Sequence, residues 1–260
     1  MIGVVAALCI LAALAAQAHV ITLLRQPEAP EVPAATRPAP RHQAAPPPPS
    51  TDPMGRVVDV LRRRRWLRRS LSFASVAIML VAVGMIGYPF YTNLYADRRQ
   101  DQLERQFASD DLRQAYADGQ VQEGDSLTRI IIPAIDVDVV VVEGVTPTAL
   151  RAGAGHYPAT PLPCEPGNVG IAGHRTTYGR PFHNLDLLAP GDEIILQTPI
   201  GECRYAVTED SPDVVLPSDV SVIAATVEPT LTLTTCHPKG SARQRLVIHA
   251  DLVSTAQTTA

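Results

Sequence analysis

Two long apolar runs dominate the N-terminal part of the chain. The first extends from Ile2 to Leu24 without Lys, Arg, Asp or Glu, and the second from about Leu71 to Tyr95. Each is long enough to cross the hydrocarbon core of a bilayer, which takes about 20 helical residues. The pattern predicts a candidate first transmembrane helix over residues 1–25 and a transmembrane helix over residues 70–96.

The segment between these runs, residues 26–69, has a different composition. It is rich in proline and alanine as far as Pro53 and then contains an arginine cluster at Arg62–Arg65, Arg68 and Arg69. Proline-rich sequence of this kind cannot bury a core and favours an extended linker. Because positive charge beside a membrane helix stays in the cytoplasm, the cluster predicts a cytoplasmic linker and an extracellular location for everything after residue 96.

Two alternatives stay open for this region. Translation from Met54 would leave out the first apolar run and keep the second. The arginine cluster is also compatible with contact to anionic lipid or nucleic acid, although a topology signal is the simpler interpretation.

After the second apolar run the periodicity changes from helical to β-like. Residues 97–126 place Leu103, Phe107, Leu112 and Tyr116 at helical intervals among charged residues, which predicts an extracellular amphipathic stalk. From residue 127 onward, short β-rich runs recur between turn signals, a spacing typical of a sandwich or barrel. These runs cover residues 128–132, 137–142, 168–173, 193–197, 203–208, 230–235 and 245–252, with short helices expected over 148–152, 181–188 and 218–222. We therefore predict one mainly β domain over residues 127–260.

Composition narrows the function of this domain. At about 130 residues it is large enough to bury its own core. The net charge of −4 says little about partners, and the domain has no basic stripe with interleaved aromatic residues, so nucleic acid is not an expected partner. It contains no Cys-x-x-Cys, His-Glu-x-x-His or EF-hand pattern, so we expect neither a metal nor another cofactor.

Three side chains at the ends of predicted strands form a set suited to acyl transfer. One run ends in Cys236, another ends in His174, and Arg245 begins the last run. A thiolate can attack a carbonyl carbon, an imidazole can move protons, and a guanidinium can stabilise an oxyanion. A small buried core residue is the alternative interpretation of a cysteine at a strand end. The polar loop after His174 favours the functional interpretation, since loops often carry function.

These residues resemble the sortases, cysteine transpeptidases that attach proteins to the cell wall of Gram-positive bacteria. The similarity lies in Ala172-Gly173-His174-Arg175, in a full Thr-Leu-x-Thr-Cys signature at 232–236, and in Arg245-Leu246-Val247-Ile248. It covers roughly residue 127 to the C-terminus. Gly155-His156-Tyr157-Pro158, the loop at 173–179 and Cys236-His237-Pro238 are most similar to the actinobacterial class E branch.

The resemblance implies an eight-stranded β-barrel with short helices, preceded by N-terminal membrane helices. It assigns Cys236 as the nucleophile, His174 as the proton carrier and Arg245 as the donor to the oxyanion, with Arg243 as a less favoured alternative. The distance between Cys236 and His174 cannot be derived from sequence. If the two side chains do not touch, few molecules hold thiolate and imidazolium together, and the enzyme is slow.

The resemblance also implies the substrates. The enzyme would cleave a C-terminal Leu-Pro-x-Thr-Gly or, as in class E, Leu-Ala-x-Thr-Gly motif between Thr and Gly through a thioacyl intermediate. It would then join the protein to an amine of the peptidoglycan precursor, the lipid II cross-bridge. The candidate substrate-binding residues are Tyr157, Thr176, Thr177, Tyr178 and Thr235, and simple packing on the barrel rim is the alternative for Tyr157. A housekeeping role is favoured over pilin assembly because residues 97–128 lack an Asp-Pro-aromatic lid motif.

The remaining cysteines and two other functions stay open. Cys164 and Cys203 both belong to the exported domain, where disulfides persist, so they could pair and leave Cys236 as the free exported thiol. His156 and His183 are interpreted as structural or exposed, and His237 as a solvated neighbour of the nucleophile. The alternatives to a transpeptidase are an extracellular Cys-His hydrolase and a non-catalytic β-domain that binds wall components.

Overall fold

The computed structural model describes residues 64–257 of the chain. The candidate first transmembrane helix at 1–25 and most of the linker at 26–69 lie outside the described residues. Within them, helix α1 (Arg65–Phe107) joins the predicted membrane segment and the first part of the predicted stalk into one element. Its portion from Arg69 onward is long and apolar enough to cross a membrane. Large apolar side chains such as Phe73 and Met85 are exposed along it, each to 74%, as suits contact with lipid.

The C-terminal part of α1 packs against the β domain. The Gln100 side-chain amide donates to the carbonyls of Val140 (3.0 Å) and Ala152 (2.9 Å), and its oxygen accepts from the Val140 amide (2.8 Å). Leu103 is buried in a small cluster with Val140, Val142, Ala149 and Ala152. The end of this helix therefore completes hydrogen bonds of the β domain that would otherwise lack a partner.

A second short helix, α2 (Asp110–Ala117), follows α1. The hydroxyl of Ser109 accepts from the Leu112 amide at its N-terminus, a standard N-cap. Leu112 and Tyr116 are buried, and the Tyr116 phenol donates to the Pro163 carbonyl at 3.0 Å. Burial raises the pKa of this phenol above its ordinary value. The residues predicted as a stalk thus form helices that pack on the domain.

Nine strands follow, together with one further α-helix and three short 3-10 helices. The strands are β1 (Ser126–Ile132), β2 (Val137–Glu143), β3 (Gly155–His156), β4 (Asn168–Ala172), β5 (Glu193–Thr198), β6 (Gly201–Val207), β7 (Asp213–Val215), β8 (Thr230–His237) and β9 (Gln244–Gln257). Helix α3 is Pro147–Ala152, and the 3-10 helices are Pro133–Ile135, Leu185–Leu187 and Ser221–Ile223.

The pairing of these strands confirms the predicted eight-stranded barrel. The order is β6-β5-β1-β2-β3-β4-β8-β9, and a further pairing between β6 and β9 closes the ring. The short β7 pairs with the first part of β9 and lies outside the ring. All pairs are antiparallel except β2 with β3 and β4 with β8. The parallel pairing of β4 with β8 is important for the site, because both strands then end at the same rim of the barrel.

Each of the seven predicted β-runs overlaps a strand, but two strands and two helices differ from expectation. Strands β3 and β7 contain two and three residues, too few for a periodicity to appear in the sequence. The helix expected over 181–188 is a set of turns with one 3-10 helix, because the Phe182 amide donates to the His174 carbonyl and its buried ring anchors the segment to the core. The helix expected over 218–222 is a single 3-10 turn at Ser221–Ile223.

The barrel core follows the two-residue alternation of its strands. Val169 and Ile171 of β4 point inward, as do Leu231 and Leu233 of β8, and all four side chains are fully buried. The alternate residues of the same strands therefore lie on the outer face, and Cys236 shares this face.

A disulfide joins Cys164 to Cys203, with Cα atoms 5.5 Å apart, within the usual range for such a bond. It ties the loop before β4 to strand β6. The pairing that the sequence left open is thus present in the structure. Cys236 is the free cysteine among residues 64–257.

Candidate active site

The parallel register of β4 and β8 brings His174 and Cys236 to the same rim. Ala172 lies opposite Thr234, and the pairing extends one residue further because the Gly173 amide donates to the Thr234 carbonyl at 3.0 Å. His174 and Cys236 each lie two residues beyond the Ala172–Thr234 pair. Neighbouring strands are about 4.8 Å apart, and residues two apart share a face. The nucleophile and the proton carrier predicted from sequence therefore come from adjacent strand ends.

Thr235 and Gly173 join these strand ends tightly. The Thr235 hydroxyl donates to the Gly173 carbonyl at 2.7 Å, and the Thr235 side chain is buried. A Cβ added at Gly173 would lie 2.5 Å from the ring of Phe182, so only glycine allows the close approach of this ring. Thr235, predicted as a substrate-binding residue, is therefore not placed to meet a substrate, since its side chain points away from the face of Cys236.

His174 lies beneath an aromatic side chain from its own loop. Its ring centroid is 5.4 Å from that of Tyr178, whose edge meets Tyr95 of α1 at 6.1 Å. The guanidinium of Arg151, on α3, lies 5.8 Å from the Tyr178 ring centroid. Burial lowers the pKa of His174, and the positive charge of Arg151 lowers it further. His174 is consequently mostly neutral at neutral pH, and its imidazolium is a minor species.

Helix α1 also supports the loop that follows His174. The Gly179 amide donates to the Asn93 side-chain oxygen at 3.3 Å. Tyr178 and Gly179 have φ angles of 50° and 71°, the left-handed region that favours glycine. Thr176 is exposed and Thr177 and Tyr178 are partly exposed, so all three predicted substrate-binding residues of this loop are accessible.

Removing the charge of Arg151 should raise the pKa of His174. We expect Arg151→Gln to shift the His174 titration to higher pH, because the repulsion of a nearby cation is lost while burial is retained. An NMR titration of the His174 ring measures the shift directly. Arg113→Gln on α2 is the matched control, because it removes the same charge from a side chain that contacts the Pro199 carbonyl. Superimposable His174 titrations in Arg151→Gln and wild type would contradict the assignment.

Arg245 lies opposite Cys236 in the β8–β9 ladder, at the rim where the sequence placed it. Its guanidinium, however, donates to the carbonyls of Ala242 (3.3 Å) and Gln244 (3.2 Å) in its own loop. Arg243, the alternative, is exposed, and its backbone amide donates to the Ser241 hydroxyl. Arg245 is thus in register with Cys236, while its side-chain hydrogen bonds go to the loop between β8 and β9.

Tyr157 lies on the same outer face as Cys236. Its phenol is hydrogen bonded to the Thr234 hydroxyl at 3.1 Å, and its amide donates to the Gly170 carbonyl at 2.9 Å. A Cβ added at Gly170 would lie 2.9 Å from the Tyr157 ring, so the absence of a side chain there lets the ring rest on β4. Tyr157 is only partly buried, which leaves one side of its ring accessible beside the strand that ends in Cys236.

The outer face continues from Cys236 to a cavity at the other end of the same strands. This cavity has a volume of about 410 Å³ and is lined by Asn168 at the start of β4, Thr230 at the start of β8 and His249 of β9. Thr232 connects them, since its hydroxyl donates to the Asn168 side-chain oxygen at 2.9 Å. Thr232 and Thr234, which lie between this cavity and Cys236 on the same face, are themselves buried.

The other histidines have structural contacts. His156 is buried, and its Nδ1 donates to the Glu143 carboxylate at 2.8 Å. His183 Nδ1 lies 2.8 Å from the Arg175 carbonyl. Within residues 64–257, no group of His, Cys, Asp and Glu side chains is arranged to hold a metal ion.

Sequence reasoning missed two residues of this region. Arg151 had no distinguishing signal, because only the fold brings α3 to the Tyr178 loop. Arg175 was noted only as the neighbour of His174. It is buried, and its guanidinium donates to the Cys236 carbonyl. Neither burial nor contact across strands can be derived from a single arginine in a polar loop.

Comparison with known proteins is consistent with this geometry. A family model described as "Sortase: Sortase domain" matches residues 130–253. Sortase SrtE1 of Streptomyces coelicolor is 30% identical over 179 residues, which are 63% of this chain and 51% of that protein. Sortase SrtE2 of the same organism is 26% identical over 75% of this chain and 87% of its own length. The chain thus spans about half the length of SrtE1.

Solved structures show the same likeness. The Sortase D5 transpeptidase of Clostridium perfringens superimposes with a TM-score of 0.54 and 30% sequence identity. The match covers 62% of this chain and 99% of that one.

Proposed function

The chain belongs to the sortase family, and from that premise we propose that it is a membrane-anchored cysteine transpeptidase that cleaves a sorting motif between Thr and Gly. The observation that supports this most is the register of β4 and β8, which places His174 and Cys236 on adjacent strand ends with Arg245 opposite Cys236. The class E resemblance of the sequence is confirmed by the relatives SrtE1 and SrtE2.

The proposed reaction begins at the sulfur. The Cys236 thiolate attacks the carbonyl carbon of the motif threonine, and the negative charge that forms on the carbonyl oxygen is stabilised by Arg245. For this, the guanidinium must exchange the carbonyls of Ala242 and Gln244 for the substrate. His174, as imidazolium, gives its proton to the leaving amine of glycine, and a thioester remains on Cys236.

The second half of the reaction reverses these roles. An incoming amine attacks the thioester carbonyl and loses a proton to the now neutral His174. The new amide bond forms as the C–S bond breaks, and the thiolate is regenerated. Because the pKa of His174 is lowered by its surroundings, few molecules hold imidazolium and thiolate together, and we expect a slow enzyme.

The location of the site favours substrates attached to a membrane. The loop after His174 contacts Asn93 and Tyr95 of α1, which lie at the end of the segment predicted to span the bilayer. Because both residues belong to the C-terminal end of the predicted span over residues 70–96, the rim is expected to lie close to the membrane surface. Membrane-held sorting-motif proteins and the lipid II cross-bridge amine would both reach it there, on the extracellular side, in a housekeeping role.

A ligation assay with the full chain in detergent tests the proposal. Wild type is mixed with a Leu-Ala-x-Thr-Gly peptide and triglycine, and the products are separated by mass. A ligated peptide together with a thioacyl adduct on Cys236 supports the transpeptidase. Release of a free threonine carboxylate with triglycine present would instead indicate the hydrolase, and the absence of both products and adduct would indicate the non-catalytic β-domain.

The same assay tests the role of Tyr157. An alanine at the second motif position keeps a backbone N–H that proline lacks, and we propose that the Tyr157 phenol oxygen accepts from it. We expect Tyr157→Phe to lower kcat/KM for the alanine motif by about 5- to 10-fold, the value of one hydrogen bond, and to leave the proline motif unchanged. Tyr91→Phe, an exposed phenol on α1, is the control. Equal losses with both motifs would contradict this role.

A further inference from the structure

Arg175 directly follows His174 and is buried, with 3% of its surface exposed. Its guanidinium extends across the rim to the other strand end. Nη1 donates to the Cys236 carbonyl at 3.2 Å and lies 3.0 Å from Nδ1 of His237, while Nη2 pairs with the Asp186 carboxylate at 2.9 Å. The Arg175 side chain thus connects the segment that follows His174 with the end of β8 at Cys236 and His237.

A buried guanidinium is costly unless its donors are satisfied. Here a carboxylate, a main-chain carbonyl and an imidazole nitrogen supply acceptors. Burial raises the pKa of Asp186, but hydrogen bonds from its own backbone amide, Lys239 and Arg175 outweigh it and hold that pKa below its ordinary value. Asp186 therefore stays ionised and holds Nη2 of the guanidinium, while Nη1 donates to the Cys236 carbonyl.

The contact with His237 fixes the proton on that imidazole. Arginine has only donors, so Nδ1 of His237 must accept, and its proton must lie on Nε2. A protonated His237 would place two cations against each other. Nδ1 of His237 is thus an acceptor in this arrangement, and His237 is not merely a solvated neighbour of Cys236.

The position of Arg175 in the ladder shows why it matters. The main-chain pairing of β4 with β8 ends at the bond from Gly173 to Thr234, and the Thr235 hydroxyl adds one more bond at Gly173. Beyond these, among the hydrogen bonds of residues 64–257, the bonds from Arg175 to Cys236 and His237 link the two strand ends. The two reacting residues lie in this last part, where the ladder no longer sets their separation.

We propose that Arg175 is a positioning residue of the transpeptidation, which fixes the separation of the Cys236 sulfur and the His174 ring by tying their two strand ends together. This inference rests on the proposed function of the same site. A displacement of about 1 Å between reacting groups can cost about 100-fold in rate. The loss of this tie should consequently lower kcat and leave substrate affinity almost unchanged.

The test compares Arg175→Lys with wild type, as full chains in detergent, in the ligation assay with the Leu-Ala-x-Thr-Gly peptide and triglycine. Lysine keeps the charge but lacks the planar fork that reaches three acceptors at once. We expect kcat to fall about 10- to 100-fold and KM for the peptide to change less than about 2-fold. NMR of the His237 ring should show loss of the Nε2–H tautomer signature.

Arg204→Lys is the matched control. Arg204 pairs with Glu193 and Glu202 on the exposed side of β6, so this variant should keep the wild-type kcat.

Asp186→Asn provides a second variant if Arg175→Lys does not fold. It leaves Arg175 in place and removes only the carboxylate that orients it, so we expect a smaller fall in kcat of about 3- to 10-fold at unchanged KM. A folded Arg175→Lys, or an Asp186→Asn, with wild-type kcat would overturn the inference while wild-type ligation stands. A loss seen only in melting temperature or in KM would overturn it as well. Absence of ligation by wild type would instead overturn the proposed function.

Discussion

Replacing Cys236 by alanine is expected to remove transpeptidation and the thioacyl adduct completely. Loss of the nucleophile of a covalent enzyme lowers kcat by about 10⁴-fold or more, because the reaction then depends on direct attack by the amine. No other free thiol in residues 64–257 can replace it, since Cys164 and Cys203 form the disulfide. Product mass in the ligation assay and the intact mass of the protein measure both effects.

Cys236→Ser is the matched control for this prediction. It keeps the size and hydrogen bonding of the side chain, but a hydroxyl is a weak nucleophile unless a base is in contact with it. We expect it to be almost as inactive as the alanine variant while retaining the wild-type melting temperature. Ligation by Cys236→Ala within about tenfold of wild type would show that the acyl group is carried elsewhere.

The position of Cys236 and Arg245, two of the three candidate catalytic residues, could be predicted from the sequence because each lies next to a strand end. A short loop between β8 and β9 makes these strands neighbours, so Cys236 and Arg245 had to lie at one rim. His174 required more, namely the parallel pairing of β4 with β8, which no local pattern indicates. The family resemblance assigned His174 a role as proton carrier but did not give this pairing, which only the structure shows.

The direction of the Thr235 side chain could have been predicted from the sequence, and its assignment as a substrate-binding residue did not take this into account. Alternation in β8 puts Thr232, Thr234 and Cys236 on one face, so Thr235 had to point away. The structure places its hydroxyl on the Gly173 carbonyl. The residue that meets Tyr157 is Thr234.

The packing of α1 on the barrel was beyond sequence reasoning. The apolar positions of residues 97–126 indicated an amphipathic helix but not its partner. Gln100 is polar and breaks the apolar pattern, yet it completes the hydrogen bonds of Val140 and Ala152. Arg151 and Arg175 are similar cases, since an arginine in a helix or polar loop is usually solvated. Only tertiary contacts distinguish them.

The second large effect concerns His174, and the choice of leaving group reveals its role. In the proposed reaction its imidazolium protonates the departing amine of glycine, and an amine cannot leave without that proton. We expect His174→Ala to lower kcat for the peptide by about 10³- to 10⁴-fold, near the upper end of general acid–base effects. A depsipeptide with an ester in place of the Thr-Gly amide releases an alcohol, which needs much less assistance.

The loss with this ester should therefore be only about 10- to 100-fold, since the acid no longer contributes to bond breaking and only the base role towards the incoming amine is lost. Cys236→Ala is the control, because no leaving group can restore a missing nucleophile. Equal losses of His174→Ala with amide and ester would show that His174 is not the proton donor. In wild type, the lowered pKa of His174 predicts an acidic limb below the ordinary range of histidine in the pH profile of the second half of the reaction, because there the imidazole must be neutral to accept a proton from the incoming amine. Arg151→Gln should move that limb to higher pH, in the same direction as the titration of the His174 ring, and this agreement would link the measured pKa to the catalytic group.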